Sequence, residues 1–341
     1  DYERFSTNAR PRPAQHGAMV RNSSASSSAV GIAFVSVAAV LWGTTGTAQS
    51  LGAGGLSPFW VGAAQLAVSS LFLGVLLAVS HWRLRGRAVQ GGAPVQPLLP
   101  NPVHLGLRPA WFLLASMGIG GYSIFFYEGV TLTGVAVGTA VAIGSGPIWA
   151  GLMQALVLRA PLSALWWAGT LVSVAGGAAM VMARGGATLS WSGLALCLLA
   201  GLSYAGYALI NKRLVTHLSP RVVNFYVFTG AACMAVPIAL VQSGLPQWSL
   251  AAVLVVVYLG VVVSGLAHML FSIGLRSISG PTGVTLSLIE PVAAFVLAVW
   301  VVGERQPLQS WLGLLAVLAG LMLVIGAEMR SQRAVMAAQM A

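Results

Sequence analysis

The chain has 341 residues, of which 57% are hydrophobic and only 7% charged. A soluble globular chain carries about 25% charged residues, so an ordinary soluble domain is excluded and a polytopic membrane protein is indicated. The net charge of +11 does not point to nucleic acid, because the basic residues lie between apolar runs, where membrane orientation accounts for them.

Asp1 to Ala29 is rich in Arg, Ser and Pro and has no apolar core. It is neither a signal peptide nor a span, and it reads as a disordered cytoplasmic tail. Met19 is a candidate native start, so residues 1–18 are set aside from the fold. Ten apolar spans follow, near 30–50, 58–80, 110–130, 133–157, 163–183, 191–211, 222–242, 250–274, 281–302 and 308–327. Residues 328–341 form a second cytoplasmic tail. With the N-terminus inside, fifteen Lys and Arg fall on the inner side, and Arg184 and Arg305 fall outside. That bias predicts a multi-pass protein of the cell (plasma or inner) membrane with both termini cytoplasmic.

The chain repeats itself. A shift of 144 residues places Pro147 on Pro291, Val157 on Val301, Trp167 on Trp311, Gly169 on Gly313 and Gly176 on Gly320. A shift of 162 places Gly31 on Gly193, Trp42 on Tyr204 and Ser57-Pro58 on Ser219-Pro220. The third and eighth spans match less well, with Phe126 on Phe271 and Gly129 on Gly274. Each half, 30–184 and 191–327, then holds five spans, and an odd number makes the second half enter from the opposite face. The predicted fold is all-α: ten transmembrane helices in two inverted five-helix repeats, an architecture on which many secondary transporters are built.

The ninth span is interrupted by Ile289-Glu290-Pro291. Pro291 frees the carbonyl of Ser287 from its helical partner. In hydrocarbon that group needs another donor or a watered cavity. Pro147 and Pro291 are both read as helix breaks. An ionisable residue at bilayer depth is a functional candidate, and Glu290 has no repeat-mate, because Gly146 stands in its place. Glu290 is either a protonatable or cation-binding group, or a neutral carboxyl satisfying backbone around Pro291. His268 is the histidine deep in a span, a packing residue or the partner of Glu290 in proton coupling. Trp42 and Tyr204 fall near mid-span, and with Tyr122 and Tyr207 they are read as cavity lining, since a buried Trp or Tyr seeks a polar partner. Glu128 reads as a solvated rim charge and Glu304 as a cap at a helix start. The matched glycines read as close helix contacts. Cys197 and Cys233 read as small buried hydrophobes, and no Cys/His spacing suits a metal.

Leu41-Trp42-Gly43-Thr44 in the first span, Ile289-Glu290-Pro291-Val292 with Gly303-Glu304 in the ninth, and Gly313 and Gly320 in the tenth resemble the EamA-type members of the drug/metabolite transporter superfamily. The likeness runs from about Gly31 to Gly326. It implies ten helices around a central cavity, no cofactor, and small organic solutes such as amino acids, amines or drugs, often moved outward. It also implies a cavity lined by Trp42, Tyr122, Pro147, Tyr204, Tyr207, His268, Glu290 and Pro291. No Lys or Arg lies in a span core, so the expected solutes are neutral, zwitterionic or cationic, with protons as a candidate coupling partner. A polytopic membrane enzyme or a non-transporting scaffold is the alternative. The enzyme lacks a reacting set, since Asp1 is the sole aspartate and no H-E-x-x-H occurs, and the lack of a P-loop argues against a primary pump.

Overall fold

The computed structural model describes residues 13–52, 55–91, 98–99, 107–182, 190–301, 303 and 305–340. Regular structure within them is helical. The first half contains α1 (Pro13–Gly43), α2 (Thr45–Gly52), α3 (Pro58–Gly91), α4 (Pro109–Thr133), α5 (Val135–Leu156) and α6 (Ala164–Met182). The second contains α7 (Trp191–Val215), α8 (Pro220–Ser243), α9 (Leu250–Tyr258), a π-helix π1 (Leu259–Leu266), α10 (Ala267–Gly274), α11 (Gly280–Leu286), α12 (Ile289–Trp300) and α13 (Leu308–Met340).

Among the described residues, eight segments are long and apolar enough to cross a membrane. They are Ser27–Gln49, Pro58–Arg85, Pro109–Thr133, Trp191–Val215, Pro220–Ser243, Leu250–Gly274, Gly280–Trp300 and Leu308–Val335. The expected fifth span corresponds to a shorter apolar helix, Ala164–Met180, and the expected fourth to α5, of 22 residues. Outward faces expose Leu71, Val75, Leu113, Leu254, Leu315 and Met322. Such apolar surface suits lipid rather than water.

Several expectations are corrected. The tail to Ala29 is not unstructured from Pro13 onward, and the tail after residue 327 is helical to Met340. Both are continuations of packed helices, and extending an existing helix costs far less than nucleating one. Pro147 does not break its helix: α5 is continuous through it. Cys233 is exposed on α8, whereas Cys197 is buried. Glu304 lies outside the described residues. The first span carries a break that the sequence reading missed, at Thr44, whose hydroxyl donates to the Leu41 carbonyl at 2.6 Å.

The matched glycines hold the halves together. A Cβ built on Gly169 would lie 2.7 Å from the Gly320 carbonyl oxygen, and one on Gly176 would lie 2.7 Å from that of Gly313. Repeat-mates α6 and α13 therefore pack antiparallel, with their small residues in register. Gly31 in α1 meets Gly274 in α10, and its mate Gly193 in α7 meets Gly129 in α4, the mate of Gly274. The same contact is made twice, each time between one helix of the first half and one of the second. Small residues allow such backbone approach without a Cβ in the way.

Candidate functional site

A cavity of about 780 Å³ is lined by residues of α1 to α8, π1, α10, α11 and α12. It reaches the end of the bundle marked by Gln49, Pro58 and Val130. Trp42, Tyr122, Tyr204, His268, Glu290 and Pro291 line it; Pro147 and Tyr207 do not.

The break in the ninth span positions Glu290. Helix α11 stops at Leu286, a tight turn crosses Ser287-Leu288, and α12 starts at Ile289. The Ser287 carbonyl freed by Pro291 accepts the Glu290 backbone N–H at 2.9 Å. Pro291 thus falls in the first turn of α12, where a missing N–H leaves no helical bond unmade. The Tyr204 and Ser287 hydroxyls pair at 3.0 Å at the turn. The Glu290 carboxylate is half-buried on the cavity wall. No hydrogen bond or ion pair among the described residues engages it.

Aromatic rings surround this carboxylate's cavity. Repeat-mates Trp42 and Tyr204 meet edge-on with ring centres 6.2 Å apart, and Tyr122 lies 5.5 Å from Tyr204 and stacks on Phe126 at 5.6 Å. The unpredicted π1 helix explains how Trp42 is held. A π turn shifts the backbone hydrogen-bond pattern and leaves carbonyls available, and the Trp42 indole donates to the Val263 carbonyl at 3.0 Å. The His268 Nδ1 faces the Ser264 carbonyl at 3.0 Å, and its ring lies 4.9 Å from both Trp42 and Phe228. No direct bond joins His268 to Glu290.

Tyr207 sits behind this wall, fully buried. It accepts from Asn211 at 3.3 Å, and Asn211 also donates to Ser272 at 2.9 Å. Ser272 donates to Asn224 at 3.1 Å, which donates to the His268 carbonyl at 3.2 Å. Of this ladder only its last member, His268, lines the cavity. Spacing alone could not separate Tyr207 from Tyr204, because three residues on a helix is nearly one turn.

Sequence reading missed Gln49, Gln65 and Tyr127, which also line the cavity. An amide inside an otherwise apolar span was the available signal for both glutamines. It also missed Glu328, which is 4% exposed. That carboxylate accepts the Ser279 backbone N–H at 2.9 Å, the Ser279 hydroxyl at 2.7 Å, the Thr282 hydroxyl at 2.6 Å and the Gln332 amide at 3.0 Å. It holds the start of α11.

The EamA-like transporter family model matches the chain twice, at residues 29–182 and 191–326. The chain is 35% identical over 309 residues to the uncharacterized transporter YwfM of Bacillus subtilis (strain 168), covering 90% of this chain and 97% of that one. It is 26% identical over 207 residues to the uncharacterized transporter YdfC of the same organism, covering 60% and 67%. A solved crystal structure shares the fold with a TM-score of 0.69 at 19% identity, covering 90% of this chain and 98% of that one.

Proposed function

We propose that this chain, which belongs to the EamA-like transporter family, is a secondary transporter that moves small neutral, zwitterionic or cationic organic solutes outward by alternating access, with proton coupling through Glu290. The observation that carries this reading is an unpaired carboxylate on the wall of a membrane-embedded cavity, next to a helix break. A charge held there without a partner is costly unless water, a proton or a cationic solute attends it.

Two inverted five-helix repeats in the cell membrane, termini inside, are the architecture of this proposal. The antiparallel packing of α6 on α13 and the recurring glycine contacts support it. In that orientation the cavity mouth faces outward and the Asn211–Ser272–Asn224 ladder lies on the inner side. Trp42, Tyr122 and Tyr204 offer ring faces to a planar or cationic group. Tyr207 supports the wall from behind, and His268 is the second proton carrier, reached across the cavity.

The test is flux in proteoliposomes over a panel of amino acids, amines and organic cations, with and without a proton gradient. Gradient-driven accumulation of a panel member is expected. Transport that is indifferent to the gradient removes the coupling, and robust transport of a doubly anionic phosphate ester removes the substrate class.

A further inference from the structure

We propose that the cavity selects organic monocations bearing an uncharged amide-type group, and that Gln65 reads that group; this rests on the transport reading above. The charge balance of the wall is the first observation. Among its described residues Glu290 is the one carboxylate, and there is no Lys or Arg. A zwitterion would satisfy Glu290 with its ammonium and leave its own carboxylate without a cation, in surroundings where an unpaired charge is expensive. His268 is not a standing cation: its Nδ1 faces the Ser264 carbonyl, its ring is flanked by Trp42 and Phe228, and it carries charge only while it holds a coupling proton.

The second observation is Gln65 on α3. It lines the cavity, makes no hydrogen bond among the described residues, and its Oε1 is buried without a partner. The other cavity amide, Gln49, is engaged, donating to the Tyr127 hydroxyl at 3.4 Å. Buried polar groups are normally hydrogen-bonded, so an orphan beside a cavity calls for a ligand partner. An amide offers both a donor and an acceptor, so a ligand amide complements Gln65 in either orientation of its side chain. Amidation also removes the charge that the wall cannot match while keeping the size of the acid. The ring faces of Tyr122, Phe126 and Tyr204 suit an aromatic body on the same solute.

Phenylalaninamide, phenethylamine and phenylalanine separate these elements, with an uncharged nucleoside as the fourth probe. Uptake is measured in proteoliposomes in mildly acidic buffer, with protein-free liposomes subtracted. Phenylalaninamide is expected to exceed phenylalanine by about tenfold or more, the scale of one unpaired buried group. Gln65→Leu should bring the amide-to-amine ratio down toward one, and Gln65→Asn should restore part of it. Phenylalanine moving as fast as its amide, or nucleoside flux without cation flux, overturns the charge rule and leaves the transport reading standing. An amide-to-amine ratio unchanged in Gln65→Leu overturns the role of Gln65. No flux of any of the four overturns both this inference and the transport reading.

Discussion

Helix α5 and the α11–α12 pair are repeat-mates built around the same proline, and they differ where it matters. Helix α5 runs unbroken through Pro147, with Gly146 before it. A Cβ on Gly146 would meet Val284 at 3.5 Å and Tyr204 at 3.8 Å, so the site is packed by neighbours and offers no functional group. The second half breaks at Ser287-Leu288, places Pro291 in a first turn, and presents Glu290 to the cavity. Its anchor is a second carboxylate, Glu328, engaged by four donors where, among the described residues, Glu290 is engaged by none. The contrast teaches that a repeated scaffold carries its chemistry at the position where the repeat fails. It also teaches that two carboxylates serving one span can have opposite duties: Glu328 on α13 clamps its start, and Glu290 on α12 is left free for the cavity.

The largest effect is expected from Glu290→Gln, which keeps shape and removes titration. Proton-driven accumulation should fall to the level of protein-free liposomes, while thermal stability in detergent stays unchanged, because no described residue bonds to the carboxylate. Unchanged rate and pH dependence would reduce Glu290 to a structural residue.

Glu328→Ala should do the reverse, costing about 3 kcal/mol of stability by stranding four donors, with Glu328→Gln costing about half of that. Chemical unfolding in micelles measures it. A stable Glu328→Ala protein that has lost transport would erase the division of duties.

Pro291→Ala restores an N–H that the Ser287 carbonyl could accept. The span should straighten, stability should hold or rise, and transport should drop. The mate substitution, Pro147→Ala, should leave transport close to wild type. Equal losses from both would mean that α5 and α12 move alike.

Trp42→Ala and Tyr204→Ala should each weaken solute binding by about tenfold, the scale of one well-placed aromatic contact. Tyr204→Phe removes only the Ser287 bond and should cost about 1 kcal/mol. Isothermal titration of the purified protein separates these from stability losses; normal binding with a lower melting temperature would make both rings core residues.

Sequence alone determined the membrane class, the duplication and the break at Glu290-Pro291. These follow from apolar run length, from residue identities at fixed shifts, and from a proline's missing N–H, all of which are local or one-dimensional. It also singled out Trp42, Tyr122, Tyr204 and His268 without showing which faced a common space. Tertiary structure decided the rest. Pro147 stays helical because neighbours pack around it, and Tyr207 leaves the wall for the Asn211 ladder. Gln65 becomes an orphan amide at a cavity, and Glu328, at a span's end, becomes a buried clamp. Each depends on which other helix lies within hydrogen-bonding distance, a relation between residues up to 250 positions apart in this chain that no local pattern encodes.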